Sequence, residues 1–111
     1  MADTTSQPPS LAQLRARRSD IVRAASARGL VNLRVFGSVA RGEGAPGSDI
    51  DIVVDLPKGA RGFDAFGMLD EFRQDLEVLL GHPVNVVTVR GPFSERGAEI
   101  ARRIQQEALI L

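Results

Sequence analysis

A glycine-rich segment between two apolar runs is the feature that most constrains how this chain folds. The first run ends at Gly37-Ser38, and the second opens with Asp49 and Asp51. Carboxylates two residues apart in a strand emerge on the same face of it. The small residues and the acids can meet only if the two runs are antiparallel strands. The segment therefore predicts an antiparallel pair that places a glycine turn beside two carboxylates.

The composition is that of one small globular domain, because 43% of the 111 residues are hydrophobic and 25% are charged. Basic and acidic residues number 14 each. This balance weakens the case for a DNA-binding protein, since such proteins usually carry a basic surplus. The absence of cysteine excludes disulfides and thiolate metal sites. No apolar run approaches the roughly 18 residues of a membrane span, so we expect a soluble cytoplasmic protein.

Periodicity and turn residues predict the order α-β-turn-β-α-β-α. We expect a disordered tail over residues 1–9 and one folded domain over residues 10–111. The predicted elements are a helix over 11–28 capped by Ser10, a strand over 31–36, a helical turn over 39–41 capped by Ser38, a strand over 50–56, a helix over 63–80, a strand over 84–89 and a helix over 94–108. The helix between the last two strands makes those strands parallel. The expected fold class is α/β (α+β), with a small mixed sheet flanked by helices.

The glycine-rich segment and the two acids together suit a metal-dependent reaction on a nucleoside triphosphate. Glycine lets the backbone approach a phosphate, and a helical turn presents N–H groups to it. Ser38 adds a hydroxyl, and Arg41 lies one turn further on. Asp49 and Asp51 offer the oxygen ligands that Mg²⁺ favours. Either half alone is more typical of an ordinary turn or a solubilising strand edge, and it is the combination that favours phosphate chemistry.

A known family shares this pattern. Gly37-Ser38, ten intervening residues and Asp49-Ile50-Asp51 resemble the nucleotidyltransferase motif of the DNA polymerase β-like superfamily. The longer match, over residues 36–43 and 48–54, is similar to the minimal nucleotidyltransferases (MNT proteins). The resemblance extends over most of residues 30–111 and implies a nucleotidyltransferase domain in the folded part of the chain.

The resemblance also implies roles for the matching residues. Gly37 and Ser38 would hold the triphosphate of ATP, and two Mg²⁺ ions would bind to Asp49 and Asp51. The full set of candidate nucleotide-binding residues is Gly37, Ser38, Arg41 and Ser48. Many MNT proteins are antitoxins encoded beside HEPN-domain RNase toxins, and some silence the toxin by transferring AMP to a tyrosine. The implied partner is thus a HEPN-type toxin, in a possible hetero-oligomer.

Asn85 departs from the family pattern. Relatives usually carry a third carboxylate here, whereas this chain reads Val84-Asn85-Val86-Val87. An amide oxygen is able to bind a metal, but it is neutral and cannot serve as a base. Loss of a general base typically costs about 10²–10⁴ in rate. Asn85 therefore enters the candidate catalytic set, with Asp49 and Asp51, as a degenerate position.

Neither nearby acid is an obvious replacement for that carboxylate. Asp55 lies roughly 13 Å beyond Asp51 along the strand, and Glu43 lies in the glycine-rich segment. Two interpretations of Asn85 stay open. The chain is either a slow nucleotidyltransferase or an antitoxin that binds nucleotide without turnover and neutralises its toxin by binding alone. A transferase that acts on a small molecule or an RNA end is a third possibility.

Overall fold

Four strands form one mixed sheet in the described part of the computed structural model, namely β1 (Val31–Phe36), β2 (Ile50–Asp55), β3 (Val84–Val87) and β4 (Leu109–Ile110). The structure describes residues 8–57, 59, 60, 62–88, 102 and 108–111, with the backbone alone for residues 62 and 63. The strand order is β3-β2-β1-β4. β1 is antiparallel to both β2 and β4, and β2 is parallel to β3. The predicted mixed sheet is confirmed, as are the directions of its first three strands.

Helices accompany this sheet as α1 (Leu11–Ala16), α2 (Arg18–Ser26), α3 (Gly37–Ala40) and α4 (Gly62–Leu80) in the described ranges. Ser10 caps α1 as predicted, because its Oγ accepts a hydrogen bond from the Gln13 N–H at 3.1 Å. The single helix predicted over 11–28 is wrong. The backbone leaves the helical region at Arg17 (φ −108°, ψ 16°), whose N–H bonds to the Leu14 carbonyl instead of continuing the helical ladder. No helix in these ranges is long and apolar enough to cross a bilayer.

Gly29 ends the second of these helices, as the sequence predicts. It adopts φ +71°, a left-handed conformation that glycine tolerates best. The N–H of Leu30 bonds to the Ala25 carbonyl, and the N–H of Gly29 bonds to the Ser26 carbonyl, each at 3.0 Å. This pair of bonds is a Schellman motif, which satisfies carbonyls left over at the helix end. The chain leaves it directly into β1.

One face of the sheet carries the hydrophobic core. Alternate residues of β2 contribute to that face, since Ile50, Ile52 and Val54 are fully buried in the core cluster. The other members of the cluster come from the flanking elements and are Leu14, Ile21, Ala25, Leu30, Val35, Val39, Phe72, Leu76, Leu80 and Val84. The period of two in β2 leaves the intervening positions, including Asp51, on the opposite face.

The ends of several elements differ from the sequence predictions. The short helical turn begins at Gly37 rather than at residue 39, so the predicted cap by Ser38 is wrong. Phe36 occupies the N-cap position, and the positive φ of Gly37 (+74°) lets the chain turn directly out of β1. The predicted helix over 94–108 lies outside the described residues except at Arg102, which is helical, and Ala108, which is not. The sequence gives no sign of β4, which pairs Leu109 with Val35.

A side chain of α4 anchors the start of β3. The Oε2 atom of Glu77 accepts a hydrogen bond from the Val84 N–H at 3.0 Å. Its Oε1 atom accepts one from Arg73 Nη1 at 2.7 Å. The Arg73 guanidinium also donates to Asp70, and this hydrogen bonding lowers the pKa of the Asp70 carboxyl. Glu77 thus connects the surface of α4 to the backbone of the strand that carries Asn85.

Replacing Glu77 tests this anchor. Glu77→Ala leaves the partly buried Val84 N–H without its acceptor, and we expect the free energy of unfolding to fall by about 1–2 kcal/mol. Glu77→Gln keeps an oxygen for the same bond and should retain most of that stability. Urea denaturation of both variants measures the difference. Equal losses in the two variants would mean that the ion pair with Arg73, rather than the bond to Val84, is what stabilises the fold here.

Candidate functional site

The sheet register brings the predicted loop end and the predicted acids together. Phe36, the last residue of β1, pairs with Asp51 in β2, and Asp51 pairs with Asn85 in β3. Side chains at paired positions share a face of the sheet. Gly37 and Asn85 therefore flank the second carboxylate from the two neighbouring strands. This is the antiparallel arrangement that the sequence predicts, with Asn85 added from the parallel strand.

Gly37 is required at the turn for two independent reasons. Its φ of +74° is a conformation that side-chain-bearing residues rarely adopt. A Cβ atom built on this buried glycine would also overlap the Oδ2 atom of Asp51. Only a residue without a side chain allows the Asp51 carboxylate to approach the start of α3. The closeness of backbone and carboxylate is thus a consequence of this glycine.

The Asn85 side chain joins the two acids. Its Nδ2 atom donates to Asp49 Oδ2 and to Asp51 Oδ1, each at 3.1 Å. The two hydrogens of one amide nitrogen are thereby shared between two carboxylates. Asp49 and Asn85 are exposed and Asp51 is half-buried, so the cluster opens to solvent on one side. We call these three residues the carboxylate–amide cluster.

Two predicted nucleotide-binding residues have partners within the glycine-rich segment. Arg41 donates from Nε to Glu43 Oε2 at 2.9 Å, and the Glu43 N–H bonds to the Ser38 carbonyl at 2.8 Å. Ser48 Oγ accepts from the Ala45 N–H at 2.9 Å. These bonds give the segment a defined shape between α3 and β2. The nucleotide-binding roles of Arg41 and Ser48 stay predictions.

A contact missed from the sequence links the N-terminal residues to the same segment. Pro9 is buried, and its carbonyl oxygen lies so close to Gly44 that a Cβ atom there would overlap it. Residues 1–7 lie outside the described residues, so the disordered tail over 1–9 stays a prediction. A buried proline just before Ser10 carries no recognisable signal in the sequence, because its partner is more than 30 residues away.

Asp55 and Glu43, the two other acids near the site in the sequence, bond to other partners. Asp55 lies at the opposite end of β2, where its Oδ2 atom accepts from Asn32 Nδ2 at 3.1 Å. Glu43 accepts from Arg41. Within the described residues there is no group of three or more His, Cys, Asp or Glu side chains that is able to hold a metal ion. The available oxygen ligands are therefore those of two aspartates and one amide.

Known proteins share the sequence family and the fold of this chain. The family model described as a nucleotidyltransferase domain matches residues 18–111. A solved structure provisionally named a minimal nucleotidyltransferase is 36% identical, with a TM-score of 0.71 over 93% of this chain and 97% of that one. No curated protein matches the chain.

More distant structures share the fold. A toxin–antitoxin crystallised with AMP-PNP is 20% identical, with a TM-score of 0.66 over 83% of this chain and 69% of that chain. The toxin–antitoxin MntA–HepT is also 20% identical, with a TM-score of 0.59 over 85% and 68% of the two chains. At this level of identity the likeness concerns the arrangement of helices and strands.

Two glycine substitutions separate backbone strain from the overlap with Asp51. Gly37 and Gly42 have nearly the same φ, +74° and +75°, but a Cβ atom on Gly42 would meet nothing within 4 Å. We expect Gly42→Ala to lower the free energy of unfolding by about 1–2 kcal/mol through strain alone. Gly37→Ala should cost about 1–3 kcal/mol more, because Asp51 must also move. Thermal or urea unfolding measures both, and equal losses would contradict the close contact.

Proposed function

The chain belongs to the nucleotidyltransferase domain family, and on that premise we propose that it moves AMP from ATP to a protein partner. The partner is the toxin of a HEPN/MNT toxin–antitoxin pair, and the transfer depends on Mg²⁺. Membership of the family confirms the resemblance stated from the sequence. The proposal adds to that family membership an AMP group, a protein acceptor and a partner of the HEPN class.

The observation that carries the proposal is the carboxylate–amide cluster beside the Gly37 turn. Carboxylate oxygens are hard ligands of the kind that Mg²⁺ prefers, and Mg²⁺ sites commonly combine one or two carboxylates with substrate phosphates. Asp49 and Asp51 point at a common hydrogen-bond donor, the Asn85 amide nitrogen, so their oxygens converge. The residues present therefore fit a divalent cation. We propose two Mg²⁺ ions, the number that the family resemblance implies. Bound cations would supply charge neutralisation for the phosphates and activation of the attacking oxygen.

The start of α3 is suited to hold the triphosphate. The first N–H groups of a helical turn lack partners within the turn and attract anions. Gly37 is buried with no side chain in the way, and the Ser38 hydroxyl lies next in the chain. Arg41 follows α3 and already bonds to a carboxylate, Glu43. We propose that a phosphate oxygen takes the place of that carboxylate, since guanidinium pairs equally well with either group.

Asn85 determines how the acceptor loses its proton. In AMP transfer the acceptor oxygen bonds to the α-phosphorus of ATP, the bond from that phosphorus to the oxygen bridging the α- and β-phosphates breaks, and pyrophosphate leaves. The acceptor hydroxyl must give up its proton in this step, and an amide cannot accept it. Asp55 is held at the far end of β2 by Asn32, so it is not positioned to substitute. We propose that the proton leaves to solvent or to a group of the partner protein. The transfer should then be slow in comparison with an enzyme that carries a carboxylate at this position.

The same residue supports a second candidate function. An antitoxin that binds its toxin without modifying it would need the fold but not the third carboxylate. The amide at position 85, bonded to both acids, favours this possibility. The intact Gly37 turn and the convergent Asp49 and Asp51 favour the transferase. Transfer of AMP to the partner would distinguish the transferase from the binding-only antitoxin.

We expect the partner to gain the mass of AMP when it is incubated with this chain, ATP and Mg²⁺. Asp49→Ala and Asp51→Ala should abolish the gain, because each removes a charged oxygen ligand from the cluster. Asn85→Asp should raise the rate by about 10²-fold or more, since it supplies a carboxylate that is able to accept a proton. Intact-protein mass spectrometry of a co-expressed all-α partner encoded beside the gene measures these outcomes.

Asp20→Asn is the matched control for this experiment. Asp20 is an exposed acid in the first turn of α2 and belongs to a helix that packs on the core face of the sheet. Its substitution should leave AMP transfer unchanged. An unmodified partner in every variant, combined with continued neutralisation of the toxin, would replace the transferase by the binding-only function.

A further inference from the structure

The nitrogen of the neutral Asn85 amide lies between two acids and donates a hydrogen bond to each. Nδ2 lies 3.1 Å from an oxygen of Asp49 and 3.1 Å from an oxygen of Asp51, and both of its hydrogens are used. Two carboxylates on one face of a strand repel each other, and a donor shared between them offsets that repulsion. Hydrogen bonds to ionised groups are also the stronger kind. The acids are therefore held together by a group of the protein itself.

The backbone fixes this amide in place. Asn85 is paired in register with Asp51, and the residue before it, Val84, is anchored by Glu77 of α4. The donor consequently belongs to the sheet and is not presented by the glycine-rich segment. Any cation that binds both carboxylates must displace it and break two charge-assisted hydrogen bonds.

We propose that Asn85 is a specificity-determining residue that keeps divalent cations out of the nucleotide-free site, so that the cation enters only together with a nucleoside triphosphate. This inference rests on the proposed function and deepens it. A free cation gains two carboxylates but must break the amide bonds. A cation that arrives on a triphosphate brings phosphate oxygens as additional ligands, which is the usual mode for Mg²⁺. The nucleotide thus supplies the ligands that two aspartates alone do not.

The substitution Asn85→Asp reverses this behaviour. It has nearly the same shape as the native side chain, but it removes the donor and adds a third negative charge at the same point. We expect the variant to bind a divalent cation without nucleotide. Asn85→Ala removes the donor and adds no charge, so it should bind the cation more tightly than the native chain does.

The test is a titration of the full chain with MnCl₂, in which the spectrum of free Mn²⁺ is followed by electron paramagnetic resonance. Without nucleotide, Mn²⁺ should bind the native chain about tenfold or more weakly than Asn85→Asp, since two bonds to charged groups must be broken. Addition of the non-hydrolysable analogue AMP-PNP should raise the Mn²⁺ affinity of the native chain to nearly that of the variant. A rise in melting temperature on adding Mn²⁺ alone should occur in Asn85→Asp and not in the native chain.

Two results would overturn the proposal. One is equal Mn²⁺ affinity of the native chain and Asn85→Asp in the absence of nucleotide. The other is Mn²⁺ binding by Asn85→Ala that is no tighter than binding by the native chain, which would mean that the amide does not oppose the cation. If Asn85→Asp fails to fold, the comparison of Asn85→Ala with the native chain tests the proposal by itself. Failure of every variant to bind AMP-PNP would contradict the proposed function itself, whereas equal Mn²⁺ affinities would contradict only the role of Asn85.

Discussion

The pairing of β2 with a strand on each side is the constraint on which the candidate site depends. From the antiparallel side comes the glycine turn at the end of β1, and from the parallel side comes Asn85. Alternation along β2 then assigns Ile50, Ile52 and Val54 to the core cluster and Asp51 to the opposite face. A slip of one residue would place the carboxylate in the core cluster and remove the isoleucines from it. The large hydrophobic cost of that slip is what fixes the acids in position.

Local signals in the sequence predict much of this fold. Alternation in β2, helical spacing in α4 and the glycine at position 29 are all short-range patterns, and the elements that they predict are present. The Gly37 turn and the two acids are predictable for the same reason, because they lie at the ends of adjacent strands. The antiparallel direction of those strands follows once the glycine turn and the two acids are assumed to form one site.

The features that the sequence does not reveal depend on partners far apart in the chain. β4 forms because Leu109 and Ile110 add to the free edge of β1, and two residues are too few for a recognisable strand pattern. The break at Arg17 changes the local hydrogen bonding between two helices whose apolar residues form only a patchy stripe, so the sequence does not mark it. The amide of Asn85 is identifiable in the sequence as an unusual residue, but its bonds to both acids require the register of β2 with β3. Glu77 likewise resembles any surface acid of a helix until its bond to the backbone of Val84 is seen.

The contact between Pro9 and Gly44 has a practical consequence for how the domain is divided. A boundary placed at residue 10, where the helical pattern starts, would cut away the buried proline whose carbonyl rests on the glycine-rich segment. The shortened chain would keep every helix and strand, yet the segment between α3 and β2 would lose its packing contact with Pro9. Trimming by secondary structure alone would therefore alter the neighbourhood of the site without altering the fold, and a fragment intended for binding studies should begin before Pro9.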